Sequence, residues 1–296
     1  MGGTVSVVVV VTLHAQARDL HRLLHHLARQ DYLGPVDVVV IDVGHRPRLH
    51  REHYLGYRMP VTVLHETQPG LAQARNRAIS AATGQWVLIA EPEALPCQEW
   101  ISTMVSALAN SGAPLVGGQI LPEHSRAVDP RLGPGVLSLF MPTVWPSTIT
   151  ELRPPWLLSD GNLGMPRSAA LRFEPALSHR RFLLCEELLL MLRGQAAGEY
   201  ALLEPRALVR RVLHERDLTA GSIARRAWRQ GAALARVAHS MPMADVPQYP
   251  RRETVRNEPF SRAWLLSTVA SAARAAGRHA CRPRHKDSPT GVTTCV

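Results

Sequence analysis

The stretch VSVVVVV, residues 5–11, is a run of β-branched residues interrupted only by Ser6. A run of this kind is typical of a strand that is buried on both faces of a parallel sheet. It has no basic segment ahead of it and no small-residue cleavage site after it, so we interpret it as a buried strand rather than a secretory signal. The fold prediction extends outward from this strand.

Strand and helix patterns alternate along the N-terminal part of the chain. The further expected strands are 36–41, 61–64, 86–90 and 114–121, and the expected helices are 20–27, 71–82 and 100–109. This alternation predicts an α/β fold with a doubly wound, mostly parallel sheet flanked by helices. Ligands of such sheets bind beyond the carboxyl ends of the strands, which here carry the polar residues Thr12, Asp42, and Glu91 with Glu93.

The remainder of the chain has a different composition. A proline-rich segment at 122–156 is expected to be a long loop, followed by strands around Pro205 and an arginine-rich amphipathic helix at 218–238. The expected organisation is one domain over 1–240, divided into halves 1–121 and 122–240, then a helical extension over 241–278 and a disordered basic tail over 279–296.

Composition narrows the function classes. The 296 residues carry a formal net charge of +10, which suits an anionic partner. Because zinc-finger spacing, an RNA-recognition motif and a basic zipper are all missing, we do not expect nucleic acid to be that partner. The four cysteines form no Cys-Xaa-Xaa-Cys pair, so reduced thiols in a cytoplasmic protein are expected.

Two acidic pairs are candidates for chemistry. Glu91 and Glu93 follow an expected strand, and alternation along an extended chain would aim both into one cleft, where paired carboxylates suit Mg²⁺ or Mn²⁺. Two solvated glutamates in a turn are the alternative. Glu186 and Glu187 lie inside an apolar segment, where a carboxylate with a raised pKa fits a general base. Exposure at a helix N-terminus is the alternative for this second pair.

Two basic residues are weaker candidates. His214 follows Val212 and Leu213 at an expected strand end, where a structural or exposed histidine is the ordinary case. Arg75 can reach a phosphate from the start of a helix, and a solvated helix face is its alternative.

Taken in order, these segments resemble the family 2 glycosyltransferases of the GT-A fold, over roughly residues 4–235. Residues 5–14 are similar to the family's first strand and nucleobase turn, with His14 at the end of that motif. Asp42, in Ile-Asp-Val-Gly, stands at the position of the aspartate that contacts uracil. Residues 70–76, GLAQARN, are close to the family's Gly-Xaa-Xaa-Xaa-Ala-Arg-Asn and form the most specific match.

Further motifs continue the resemblance in the same order. Glu91 and Glu93 stand at the Asp-Xaa-Asp metal position, and Asn162 lies in a segment similar to the family's Gly-Xaa-Asn near the sugar. Glu187 occupies the position of the catalytic base, and His214 matches a histidine that completes the metal site.

The resemblance implies an inverting transfer from a nucleotide-diphosphate sugar, expected to be a UDP-sugar, to an acceptor hydroxyl. The acceptor class stays open between a small molecule, a lipid-linked molecule and a polysaccharide. The implied site residues are Thr12, His14, Asp42, Arg75 and Asn162 for the donor, Glu91, Glu93 and His214 for Mg²⁺ or Mn²⁺, and Glu187 with Glu186 for catalysis.

Other interpretations remain open. Because the acidic motifs depart from the family pattern, a degenerate member that binds a nucleotide or a partner without catalysis is the alternative. A nucleotidyltransferase is disfavoured because no Gly-rich phosphate loop followed by lysine is present. The amphipathic pattern at 260–273 leaves peripheral contact with the inner face of an acidic membrane open, beside packing onto the domain.

Overall fold

The computed structural model describes the N-terminal part of the chain almost continuously and the C-terminal part in pieces. The described residues are 3–12, 15–68, 70–123, 134–137, 139–140, 146–152, 158–159, 161–169, 171–173, 190–191, 194, 199–240 and 275. The expected helical extension over 241–278, apart from 275, and the basic tail over 279–296 lie outside them. The domain boundaries therefore stay predictions.

Within the described residues, one nine-stranded mixed sheet forms the framework. Its strands are β1 (Val5–Val11), β2 (Val36–Val43), β3 (Val61–Glu66), β4 (Trp86–Ala90), β5 (Ala94–Pro96), β6 (Leu115–Pro122), β7 (Thr150–Leu152), β8 (Asn162–Pro166) and β9 (Ala201–Arg211). The spatial order is β3-β2-β1-β4-β8-β6-β9-β5, and β7 pairs with β9. The half from β3 to β4 is parallel, whereas β8 runs antiparallel to both β4 and β6.

Helices cover both faces of the parallel half, as a doubly wound sheet requires. The helices are α1 (Ala17–Leu27), α2 (Leu71–Ala81), α3 (Trp100–Ser111), the short α4 (Pro134–Leu137) and α5 (Ala220–Ser240). Successive side chains of β1 point to opposite faces. Val7 and Val9 therefore share one core with α1 and α3, while Val8 and Val10 share a second core with α2. Neither face of β1 contacts water, and this accounts for the continuous run of valines in its sequence.

Two glycines occupy positions near the ends of helices where a side chain would be unfavourable. α3 ends at Gly112, whose φ of 68° is left-handed, a conformation that glycine adopts at little cost. α2 ends at Ala81, close to the expected end at residue 82, and Gly84 follows it. Gly84 passes so close to β1 that a Cβ there would lie 2.4 Å from Ser6 N. This glycine permits close approach of the chain entering β4.

The second half of the sheet differs more from the expectation. The strands expected around Pro205 are one strand, β9, whose register with β6 shifts between Gly118 and Ile120. Proline has no N–H to donate, which accounts for an irregularity at this point. A third apolar cluster then joins β6, α4 and α5, with Phe140 and Ile223 among its members. None of the described helices combines the length and apolar character needed to cross a bilayer.

Candidate functional site

Polar residues collect at the carboxyl edge of the parallel strands. Thr12 follows β1, Asp42 lies near the end of β2, and Glu91 follows β4. β8 begins at the same edge, since Asn162 pairs in register with Ala90. The expectation that ligand-binding residues gather at this edge therefore has a geometric basis.

Asp42 is fully buried and tightly held. Its Oδ2 accepts hydrogen bonds from the backbone N–H groups of Arg48, at 2.5 Å, and Leu49, at 3.0 Å. Arg48 Nη2 donates to Asp42 Oδ1 at 3.1 Å and to the carbonyl of Thr12 at 2.9 Å. The loop after β2 thus folds back and fixes this carboxylate beside the end of β1.

His65 borders the same carboxylate from β3. Its Nδ1 lies 3.9 Å from Asp42 Oδ2, and both ring nitrogens are buried without a hydrogen-bond partner among the described residues. Next along β3, Glu66 is bonded by Gln68 N and by Arg77 Nη1. Burial raises the pKa of Glu66, but these hydrogen bonds outweigh burial and hold it below its ordinary value. Hydrogen bonding therefore favours the charged form of Glu66.

Glu91, which follows β4, forms an ion pair with Arg211 at the end of β9. Arg211 Nη2 lies 2.7 Å from Glu91 Oε2, with the two side chains 12% and 20% exposed. Arg211 Nη1 also donates to the carbonyl of Phe140 at 2.8 Å. The carboxylate of Glu91 is thus occupied by an arginine from the end of β9.

Glu93 takes different neighbours. Residues 91–94 form a turn closed by a hydrogen bond from Ala94 N to Glu91 O at 3.0 Å, not the extended segment expected from the sequence. Side chains do not alternate between two faces in this turn as they do in an extended strand. Glu93 therefore lies close to Asp19 and His214 and not beside Glu91. One ligand atom from each of these three residues lies within 4.8 Å of the others.

Backbone contacts position this group, the acidic-histidine cluster of Asp19, Glu93 and His214. Val212 N donates to Glu93 O at 2.9 Å, which fixes the turn against the end of β9. His214 Nε2 lies 2.9 Å from Asp19 Oδ2, and His214 N donates to Asp217 Oδ2 at 3.2 Å. Two carboxylates and an imidazole are suitable ligands for a divalent cation such as Mn²⁺.

Asn162 is fully buried and makes structural contacts. Trp100 Nε1 donates to its Oδ1 at 2.8 Å, and its Nδ2 donates to the carbonyls of Gln119 at 3.0 Å and Ala207 at 2.8 Å. Both amide hydrogens are therefore used within the fold. The expected contact of this side chain with a sugar finds no support in the geometry, because its polar atoms tie β8 to α3, β6 and β9.

The Ala-Arg-Asn motif supports a neighbouring segment. Arg75 is 2% exposed, and its guanidinium lies 5.1 Å from the centre of the Phe173 ring. Asn76 forms two hydrogen bonds with the backbone of Phe173, at 2.9 and 2.8 Å. Arg75 therefore projects from the first turns of α2 over the Phe173 ring. The face of this ring attracts the positive charge of the guanidinium group.

Three predicted residues, His14, Glu186 and Glu187, lie outside the described residues. Conversely, the structure brings Asp19, Arg48 and Arg211 into the site, although no sequence pattern singled them out. Asp19 in particular has the signature of an ordinary acidic residue in the first turn of a helix. Its neighbours come from distant parts of the chain, so local spacing carries no sign of them.

Comparison with known proteins agrees with this architecture. The sequence model described as Glycosyl transferase family 2 matches residues 7–175, more than half of the chain. Glycosyltransferase AglE of Haloferax volcanii is 25% identical over 116 residues, which are 38% of each chain. The match thus spans well under two thirds of that relative.

Solved structures share the fold. Mannosyltransferase PcManGT from Pyrobaculum calidifontis, in complex with GDP-Man and Mn²⁺, has a TM-score of 0.58 at 18% identity, over 95% of this chain and 76% of its own. S. aureus TarS 1–349 in complex with UDP has a TM-score of 0.52 at 15% identity, over 82% and 73%. GalNAc-T7 with UDP, GalNAc and Mn²⁺ has a TM-score of 0.54 at 15% identity, over 72% and 44%.

At these identities the structural likeness shows the fold, which is the GT-A glycosyltransferase fold expected from the sequence. The family match covers β2, which carries Asp42, and the turn that carries Glu91 and Glu93. The chain therefore belongs to glycosyl transferase family 2.

Proposed function

We propose that this protein transfers a sugar from a nucleotide-diphosphate sugar to an acceptor hydroxyl, with inversion at the sugar carbon. The observation that carries the proposal is the convergence of two groups at one sheet edge. Asp42, held beside the end of β1, supplies a nucleobase contact, and the acidic-histidine cluster supplies a cation site. A donor with a base at one end and a diphosphate at the other fits such an arrangement.

The donor is held through its base and its phosphates. Thr12 and Asp42 lie at the ends of β1 and β2, and the fixed carboxylate accepts a hydrogen bond from a ring N–H of the base. Arg75, buried against Phe173, is the proposed basic residue near the donor phosphates, and His14 is the proposed stacking partner of the base. A UDP-sugar is our proposed donor. The related folds bind both kinds of nucleotide, since TarS was solved with UDP and PcManGT with GDP-Man.

A divalent cation neutralises the leaving diphosphate when it is bound. Glu93 and His214 are the proposed ligands from the sequence motifs that the geometry supports. Glu91, the other carboxylate of the motif, forms an ion pair with Arg211 and is not one of the three clustered residues. The imidazole of His214 favours Mn²⁺ over Mg²⁺, which prefers an all-oxygen environment.

Glu187 is the proposed base, with Glu186 beside it. It removes the acceptor proton so that the oxygen attacks opposite the diphosphate, and this direct displacement inverts the configuration. A positioned base contributes about 10²–10⁴-fold to the rate. Glu187→Gln is therefore expected to lower the rate of transfer by that factor while donor binding persists. A wild-type rate in that variant would remove Glu187 from the role.

The acceptor and the location are proposed together. A basic chain with an amphipathic pattern at 260–273 suits a lipid-linked acceptor at the inner face of an acidic membrane, in the cytoplasm. Flotation of the full-length protein with anionic vesicles, compared with neutral vesicles, tests the membrane contact. Equal flotation with both would favour a soluble or polysaccharide acceptor.

Two measurements test the function as a whole. Calorimetry with UDP and with GDP, each with and without Mn²⁺, measures nucleotide binding, and mass spectrometry of nucleotide release from a panel of sugar donors measures turnover. Mn²⁺-dependent binding together with release supports a transferase. Binding without release from any donor under any metal would instead indicate a degenerate member of the family.

A further inference from the structure

We propose that Asp19, on the first helix, is a direct ligand of the divalent cation and completes a three-residue site with Glu93 and His214. The role of this cation at a donor diphosphate rests on the proposed function. The existence of the site rests on the geometry of the cluster alone. Three observations carry the assignment: burial of an unpartnered oxygen, the separations of the ligand atoms, and the excess of negative charge.

The first observation concerns the two oxygens of Asp19. The residue is 1% exposed, and its Oδ2 lies 2.9 Å from His214 Nε2. Its Oδ1 is buried and has no hydrogen-bond partner among the described residues. Leaving a carboxylate oxygen desolvated and unpaired is costly, more so than for a neutral group. A cation that binds this oxygen removes the penalty.

The second observation is the spacing of the cluster. A cation of this class lies about 2.1 Å from each oxygen ligand, which places neighbouring ligands about 3.0 Å apart and opposite ligands about 4.2 Å apart. The ligand atoms of Asp19, Glu93 and His214 all lie within 4.8 Å of one another. This upper limit exceeds the separation of two opposite ligands by only about 0.6 Å. The remaining coordination positions are available to water or phosphate oxygens.

The third observation is charge. Two carboxylates and one imidazole leave a net negative charge whether or not His214 is protonated. An ion pair between Asp19 and His214 alone therefore does not neutralise the cluster, because Glu93 adds a second carboxylate within reach. A divalent cation balances two carboxylates and a neutral imidazole. A purely structural contact between Asp19 and His214 would account for the hydrogen bond at Asp19 Oδ2. It would leave the burial of the unpaired Asp19 Oδ1 without an explanation.

The position of Asp19 is fixed by its surroundings. It lies in the first turn of α1, directly after β1, and its N–H donates to Gln16 O at 3.0 Å. Leu20 and Leu23, which follow it, are fully buried in the core beneath the sheet. The helix therefore holds the carboxylate beside His214, which follows β9, as a preorganised metal site requires.

The test measures Mn²⁺ binding to the full-length protein without nucleotide, by electron paramagnetic resonance of free Mn²⁺ and by calorimetry. Asp19→Asn keeps the size of the side chain and removes the charge, and Glu93→Gln is the reference for loss of one ligand. The matched control is Asp37→Asn. Asp37 is also held by a side-chain hydrogen bond, from Ser6, but lies near the opposite end of β2. Circular dichroism and metal-free melting check the fold of each variant, and Asp19→Ser is the second variant.

Asp19→Asn is expected to weaken Mn²⁺ binding at least about 10-fold, as Glu93→Gln does, since even outer contacts of metal ligands change affinity by that much. Asp37→Asn is expected to bind as the wild type does. Wild-type Mn²⁺ affinity in a folded Asp19→Asn or Asp19→Ser variant would overturn the proposal and make the contact with His214 structural. Because no nucleotide is present, this result is independent of whether the protein turns over a sugar donor.

Discussion

His214 Nε2 lies 2.9 Å from Asp19 Oδ2, which joins the start of α1 to the segment after β9 across 195 positions of sequence. Glu93 completes the cluster from the turn after β4. The site therefore exists only when three distant parts of the chain are folded together. A cation bound there binds the native state and not the unfolded chain.

The first prediction is that Mn²⁺ stabilises the fold. Ligand binding to the native state alone adds about 2.7 kcal/mol at a free ligand concentration one hundred times the Kd. Melting of the wild-type protein is therefore expected to shift upward with Mn²⁺ and to return with a chelator, followed by circular dichroism. His214→Gln should lose most of this shift. An equal shift in both proteins would place the cation elsewhere.

The second prediction concerns Asn162. Asn162→Ala leaves the buried Trp100 N–H and two backbone carbonyls without their partner. At about 1 kcal/mol for each hydrogen bond, the free energy of unfolding should fall by about 3 kcal/mol or more. Urea denaturation measures this loss. Asn110→Ala, at an exposed position of α3, is the control and should change stability by less than about 0.5 kcal/mol. Similar losses in the two variants would contradict a structural role for Asn162.

The third prediction concerns the pair of Glu91 and Arg211. Arg211→Gln removes a partly buried ion pair and the hydrogen bond to the carbonyl of Phe140. We expect a loss of about 1–3 kcal/mol in the free energy of unfolding. Arg210→Gln, the adjacent exposed arginine on the same strand, removes the same charge and should cost less than about 0.5 kcal/mol. If both variants unfold alike, the pair contributes nothing beyond net charge.

The fourth prediction is a pH dependence from Glu204. Hydrogen bonds from the side chain of Arg206, opposed by burial, hold the pKa of Glu204 below its ordinary value of 4.5. A depressed native pKa stabilises the fold above pH 4.5, and this stabilisation is lost as the pH falls through the lower native value. The stability difference between wild type and Glu204→Gln should therefore be largest near neutral pH and shrink on acidification. A difference that stays constant from neutral pH into the acid range would contradict this assignment.

The parallel half of the fold was predictable because its signals are local. β1 and β2 are runs of mostly apolar residues, as expected for strands that are buried on both faces. In α1, which lies between them, the leucines recur at helical spacing. β8, with the sequence NLGMP, has no β-branched residue and contains glycine and proline, so its local sequence does not favour a strand. Its pairing with β4 is set by tertiary contacts.

The candidate site was predictable only in part, for a similar reason. The sequence placed Asp42 and Glu93 at strand ends, where the structure has them. Glu91 pairs with Arg211, whereas Glu93 lies beside Asp19 and His214. The two glutamates have different neighbours because residues 91–94 form a turn and not the expected extended segment. Asp19 could not be identified, because its contact with His214 depends on how α1 packs against β5 and the segment after β9.

Transfer of a sugar from a nucleotide donor is tested by measuring the release of nucleoside diphosphate from UDP- and GDP-sugars by the full-length protein. Mass spectrometry follows this release with and without Mn²⁺. We predict Mn²⁺-dependent release from at least one donor, with a UDP-sugar preferred, and a loss of release in Glu93→Gln. A wild-type protein that neither bound a nucleotide nor released one from any donor with any divalent metal would contradict the proposed function.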